Sequence, residues 1–172
     1  MAMRKTGEAI PGFEFNLLNG GRWCSTDKPA GKYTLLTIYR GKWCQHCKHQ
    51  LQELDQAIPD FESLGVSVLA VSADTQVRAE STAAELGLSN LVLGYEMPIS
   101  SARELGVFIS NQVKDEEMPV FCEPATFLID AQSKVFAAWI GSNAFARTAP
   151  KALLDYVNFI TEKQGRPPRG SA

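Results

Sequence analysis

Residues 33–49 read Tyr33-Thr34-Leu35-Leu36-Thr37-Ile38-Tyr39-Arg40-Gly41-Lys42-Trp43-Cys44-Gln45-His46-Cys47-Lys48-His49. The first seven are β-branched, apolar or aromatic and predict a largely buried strand. Gly41 breaks it. From about Cys44 to Ile58 the apolar residues Leu51, Leu54 and Ile58 recur at i, i+3 and i+7, the stripe of an amphipathic helix. A C-x-x-C therefore stands where a buried strand passes into a helix, with Pro59 expected to kink or end that helix and Phe61 to Leu64 to add a further turn.

That placement gives the two sulfurs a chemistry. The first N–H groups of a helix lack intrahelical partners, and the positive end of the dipole favours an anion there. Cys44 is expected at this tip with the more accessible sulfur, and Cys47 one turn on and deeper, a spacing at which the two can close a local disulfide. Arg40, Lys42, His46, Lys48 and His49 surround the pair, and no acidic residue lies between Arg40 and Gln52. Both features lower the Cys44 pKa. A fall of about 2 units lifts the thiolate fraction at pH 7 from about 3% to about 75%, but nucleophilicity drops along a Brønsted slope of ~0.4–0.5. Attack gains only about threefold, so the larger effect is a more oxidising couple.

The rest of the chain is consistent with one domain over residues 1–164. Its length of 172 residues suffices to bury roughly 70% of the unfolded surface. Hydrophobic residues at 45% and charged residues at 21% exclude disordered, collagen-like and coiled-coil classes. A net charge of −2 offers no field for nucleic acid or an anionic membrane. No apolar run reaches the ~20 residues of a membrane span. Arg4 and Lys5 are not followed by an apolar stretch, so no secretory leader is expected and a cytoplasmic location is.

Phe13, Phe15 and Leu17 alternate before Asn19-Gly20-Gly21, predicting an N-terminal β-hairpin. Val66–Ser72 reads as a second buried strand. Asp74 or Thr75 can cap a helix to about Leu86, with Gly87 after it. Leu91–Leu93 suggests a short strand and Ser101–Leu105 a short helix. Residues 107–122, with the acidic run Asp115-Glu116-Glu117, are expected to be irregular and that run a solvated loop. Thr126–Ile129 and Val135–Ile140 are strands joined by Asp130-Ala131-Gln132-Ser133. Thr148, with Pro150 in the first turn, opens a final helix whose buried face carries Leu153, Leu154, Val157 and Ile160. Residues 165–172 have little to bury and are expected to be a disordered tail. The pattern is α/β, a central mixed sheet flanked by helices.

The early hairpin, Tyr39-Arg40-Gly41-Lys42-Trp43-Cys44-Gln45-His46-Cys47, Leu69-Ala70-Val71-Ser72-Ala73-Asp74 and Pro124-Ala125-Thr126-Phe127-Leu128-Ile129-Asp130 together resemble the thioredoxin superfamily. They resemble in particular its alkyl hydroperoxide reductase/thiol-specific antioxidant (AhpC/TSA), peroxiredoxin-like branch, over roughly residues 10–162. On the peroxiredoxin pattern Pro-x-x-x-Thr-x-x-Cys, Cys47 falls on the peroxidatic cysteine, Cys44 replaces Thr and Arg40 replaces Pro. The family's later Arg is Pro124 here, so the side chains that polarise a peroxide are missing at those two positions. On the thioredoxin pattern Trp43-Cys44-x-x-Cys47 matches directly, and Pro124 falls on the cis-proline, with Pro119 as a rival. Gln45-His46 lacks the common Pro, and His46 resembles the thiolate-stabilising His of oxidising relatives.

The resemblance implies a thioredoxin-like, peroxiredoxin-like fold and a thiol–disulfide oxidoreductase. Cys44 attacks a substrate disulfide, Cys47 resolves, Trp43 screens the pair, Pro124 shapes the substrate groove, and a thioredoxin or glutathione system resets it. No cofactor is implied. Two alternatives stay open: a thiol-dependent peroxidase with Cys47 peroxidatic and Cys44 resolving, and a metal carrier using Cys44, Cys47 and a His, although no recognisable metal-ligand spacing is present. Cys122, two residues before Pro124, is a candidate resolving or regulatory thiol, and Cys24 reads as passive. Glu123 is awkward, because a carboxylate beside the pair raises a thiolate pKa.

Overall fold

The computed structural model describes residues 5–163 and 165–172. Arg4, used in the leader reading, and Gln164, beside the expected domain boundary, lie outside the described residues. The elements run β1 (Glu14–Leu17), β2 (Arg22–Cys24), β3 (Tyr33–Ile38), α1 (Gln45–Ser63), β4 (Val66–Val71), α2 (Gln76–Leu86), β5 (Val92–Tyr95), α3 (Ile99–Glu104), β6 (Ile109–Asn111), β7 (Val120–Cys122), β8 (Ala125–Asp130), β9 (Val135–Ile140) and α4 (Pro150–Glu162). Seven strands form one sheet in the order β2-β1-β5-β4-β3-β8-β9. β3, β4 and β5 are parallel, whereas β1, β8 and β9 join antiparallel. The mixed sheet and N-terminal hairpin are those expected.

Side-chain alternation along the central strands builds two cores. Leu35 and Leu128 point to the layer containing α1 and α4, with Leu51, Leu54, Phe61, Leu153 and Val157. Leu36, Ile38 and Phe127 point to the opposite layer, with Phe13, Phe15, Met97 and Leu105. Because β3 is buried on both faces, the end of this strand has one well-determined position, and the cysteine loop leaves from that end.

Several elements differ from expectation for identifiable reasons. α1 runs unbroken through Pro59. Proline removes the N–H that would serve the Asp55 carbonyl, and Asn90 Nδ2 donates to that carbonyl instead, at 3.3 Å. The stretch 107–122 contains the β6–β7 hairpin, with Ser110 paired to Phe121. Its strands are three residues long, too short to show a period. Glu117 is not a solvated residue: it is buried and accepts the Val113 and Lys114 N–H groups. Thr148 does not cap α4; Ala149 holds that position without a side-chain bond, and the Thr148 carbonyl accepts from Gln50. Thr75 and Gly87 do bound α2 as read. In the tail, Arg166 lies over the Phe159 ring at 3.9 Å, and Thr6 Oγ1 donates to the Arg169 carbonyl. Among the described residues no helix is long and apolar enough to cross a membrane.

Gly41 is the hinge between β3 and α1. Its φ is +154°, and a Cβ there would lie 2.1 Å from the Trp43 ring. Strain of ~1–3 kcal/mol and overpacking of ~1–3 kcal/mol act together, so Gly41→Ala should cost about 2–6 kcal/mol in urea unfolding. Displacement of Trp43 should also shift the tryptophan fluorescence.

Candidate active site

The loop from Tyr39 to Cys44 is tied down at each step. Tyr39 N–H donates to the Val71 carbonyl at 3.0 Å, and Lys42 N–H to the fully buried carboxylate of Asp74 at 2.8 Å. Asp74 in turn accepts from Arg78 Nε at 3.0 Å. Trp43 packs edge-on against Phe121, centroids 4.9 Å apart, with the Arg78 guanidinium 5.4 Å over its ring. The chain then enters α1 with Cys44 as its N-cap.

Cys44 Sγ accepts the Cys47 N–H at 3.2 Å, the role an oxygen side chain usually plays at a helix start. Cys47 Sγ accepts the Arg40 N–H at 3.4 Å. Across both sulfurs lies Arg147, from the loop before α4: its Nη2 is 3.2 Å from Cys47 Sγ and 3.8 Å from Cys44 Sγ. Its Nη1 donates to Gln50 Oε1 and its Nε to the Ala144 carbonyl, both at 2.8 Å. Gly141 permits this loop path, because a Cβ there would sit 1.8 Å from the Ala146 carbonyl oxygen.

This arrangement separates the two thiols. The hydrogen bond from the Cys47 side chain, aided by the Cys47 N–H, Arg147 and Arg40, overcomes burial and pulls Cys44 down from about 9 to about 5. Burial, then the hydrogen bond and charge of Cys44, push Cys47 up. The site can therefore hold one thiolate and one proton shared between two sulfurs.

The structure brings Arg40, Cys44 and Cys47 together and sets Trp43 beside them. Cys44 is less accessible than expected, only 4% exposed against 0% for Cys47, because the Arg147 loop lies across the helix tip. The exposed His46 ring turns to Phe145, their centroids 4.2 Å apart, and makes no hydrogen bond to either sulfur. His49 pairs with Glu53 and Lys48 with Glu85, so the basic cluster is mostly engaged outward. Lys42 contributes its main-chain N–H, to Asp74. Pro124 is buried and lines a small cavity with Gln50, Arg147 and Thr148. Its peptide bond is trans, as are those of the other described residues. Hydrogen bonds from Glu123 N–H to Phe108 and from Gly141 N–H to the Pro124 carbonyl hold that segment extended between β7 and β8.

Cys122 is fully buried in the opposite core, and burial, then the Glu123 charge, push its thiol up to about 12. Cys24 Sγ meets Thr26 Oγ1 at 3.2 Å. Among the described residues no three His, Cys, Asp or Glu side chains gather to hold a metal ion. A groove of about 280 Å³ runs beside the pair, walled by His46, Gln50, Glu53, Phe145, Arg147 and Pro150.

Sequence reasoning missed Arg147 and Gln50. Gln50 follows Cys47 by one helical turn and so shares its face, which was a readable signal. Nothing local marks Arg147, a hundred residues from Cys47.

The chain compares with known proteins as this geometry leads one to expect. The AhpC/TSA family model matches residues 6–138. The thiol-disulfide oxidoreductase ResA of Bacillus cereus is 26% identical over 135 residues, covering 78% of this chain and 69% of that protein. ResA of Geobacillus thermodenitrificans is 27% identical over 131 residues, covering 75% of this chain and 66% of that protein, slightly under two thirds of its length. Among solved structures, the peroxidoxin BcpB of Mycobacterium tuberculosis superimposes with a TM-score of 0.71 at 20% identity, covering 92% of this chain and 99% of that one.

Thiolate absorbance near 240 nm should show one thiolate per reduced chain with a midpoint near pH 5, moving upward in Arg147→Gln. The sign for stability follows from a folded pKa below the unfolded one: the contribution is complete above about pH 9 and lost as pH falls through about 5. The reduced protein should lose stability across that window relative to the disulfide form.

Proposed function

The chain belongs to the AhpC/TSA family, and from that premise we propose that it is a thiol–disulfide oxidoreductase that cycles a Cys44–Cys47 disulfide. The observation that carries this reading is the unequal pair: an N-capping sulfur held as thiolate beside a deeper sulfur that keeps its proton, with one guanidinium spanning both.

Cys44 thiolate attacks one sulfur of a substrate disulfide and expels the other, which takes up a proton and leaves as a thiol. Cys47 then gives up its proton and attacks Cys44 Sγ, which releases the second substrate thiol. The substrate gains two electrons and two protons, and the protein is left with the Cys44–Cys47 disulfide. A cellular thiol system, thioredoxin or glutathione, reverses this in a reducing cytoplasm. The Phe145–Arg147 groove receives the substrate backbone, Trp43 shields the loop, and Pro124 supports the groove from below.

One observation favours a second reading. Arg147 Nη2 and the Arg40 N–H both donate to Cys47 Sγ, at 3.2 and 3.4 Å, an arrangement suited to a peroxidatic thiolate at Cys47 that Cys44 resolves. Against it, Cys47 is wholly buried and its proton is held more tightly than that of Cys44.

Cysteine substitution separates the two. Under the proposed function, Cys47→Ser accumulates mixed disulfides with substrate and Cys44→Ser has no turnover. A Cys44→Ser protein that consumes one equivalent of hydrogen peroxide and carries sulfenate at Cys47, read by mass spectrometry, would reverse the assignment.

A further inference from the structure

Glu123 is a buried acid held against Arg40, and the proposed function gives it no task. It is 4% exposed and directly follows β7. Its Oε1 accepts from Ser110 Oγ at 2.6 Å, and its Oε2 lies 3.0 Å from Arg40 Nε. Glu117, from the same hairpin, places Oε1 3.9 Å from Arg40 Nη2, and the Phe121 ring lies 5.0 Å beneath the guanidinium. The β6–β7 hairpin thus grips the side chain of the residue whose main-chain N–H meets Cys47 Sγ. Arg40 is also among the groups that hold the Cys44 thiol below its ordinary range.

The other charged groups around the loop are Arg147 from the segment before α4, the Asp74–Arg78 ion pair from the β4 end and α2, and Lys42. With Cys44 ionised, two guanidiniums, Arg40 and Arg147, face three anions: Cys44, Glu117 and Glu123. With the pair joined as a disulfide, two face two. A buried cluster is more stable when its charges balance, so the carboxylates favour the oxidised form.

We propose that Glu123 is a positioning residue that sets the balance between the dithiol and disulfide forms through Arg40, by taking a share of guanidinium charge that otherwise serves the Cys44 thiolate. The inference rests on Cys44 and Cys47 being the redox pair. Glu123→Gln keeps the shape and an acceptor for Ser110 while removing the charge, and so frees Arg40 toward Cys44.

The test equilibrates the full chain in glutathione redox buffers at pH 7 and counts the Cys44–Cys47 disulfide by mass, beside a thiolate titration. Glu123→Gln should lower the equilibrium constant for disulfide formation about tenfold, or about 30 mV for this two-electron couple, and shift the thiolate midpoint downward. Glu117→Gln, at the longer distance, should move both the same way by less, and keeps the test available should the first variant fold poorly. In an Arg40→Gln background, Glu123→Gln should change neither. Wild-type values in Glu123→Gln, an opposite shift, or a shift that survives without Arg40 would overturn the proposal. A wild-type chain that forms no Cys44–Cys47 disulfide in these buffers would instead overturn the proposed function, and this inference with it.

Discussion

A guanidinium carried on the loop before the last helix lies across two sulfurs a hundred residues away, and the chemistry of this fold depends on that contact. Arg147 has no carboxylate within ion-pair distance among the described residues; its other donors go to the neutral oxygens of Gln50 and Ala144. The Coulomb attraction between unit charges 3.8 Å apart, at an effective dielectric of ~20, is on the order of 4 kcal/mol. A helix terminus contributes ~0.3–1 kcal/mol, up to ~2 when partly buried. Desolvating a thiolate at a nearly closed site works against both, and the Cys47 side chain and N–H add to Arg147 in overcoming it. A cation without a carboxylate and a sulfur with a low pKa stabilise each other.

Much of this was legible because the fold obeys simple periods. A doubly buried strand, a stripe at i, i+3 and i+7, a Thr75 cap and a Gly87 stop are local patterns, and the structure keeps them. The cysteines were legible for the same reason, since the strand-to-helix junction lies in consecutive residues. The electrostatic partners were legible only in part. Arg40 does meet the pair, but Lys48 is committed to Glu85 and His49 to Glu53, and the cation that touches both sulfurs comes from residue 147. Charge that is near in sequence predicts composition at a helix tip, and only the fold decides which charges face inward.

The misread stretch, 107–122, has a similar cause. Three-residue strands leave no period, and an acidic run without apolar neighbours looks solvated. Glu117 is buried because the turn it closes has main-chain N–H groups to satisfy, and an unpaired buried N–H costs as much as a lost hydrogen bond. Pro59 makes the same point in reverse. A helix tolerates a proline where another segment, here Asn90, satisfies the carbonyl left without a donor.

In the proposed cycle one guanidinium serves both chemical steps. While Cys44 is a thiolate, its charge and hydrogen bond keep the proton on Cys47, so the two sulfurs do not compete for the substrate. Once Cys44 is bound in a mixed disulfide, that charge is gone, and two of the influences that hold up the Cys47 pKa disappear with it. Burial remains, opposed by Arg147 at 3.2 Å and the Arg40 N–H at 3.4 Å. These donors are closer to Cys47 than Arg147 is to Cys44, which is the order needed for the deeper sulfur to ionise second. The donors nearest Cys47 thus act after the first bond has formed, and the resting protein keeps a single nucleophile.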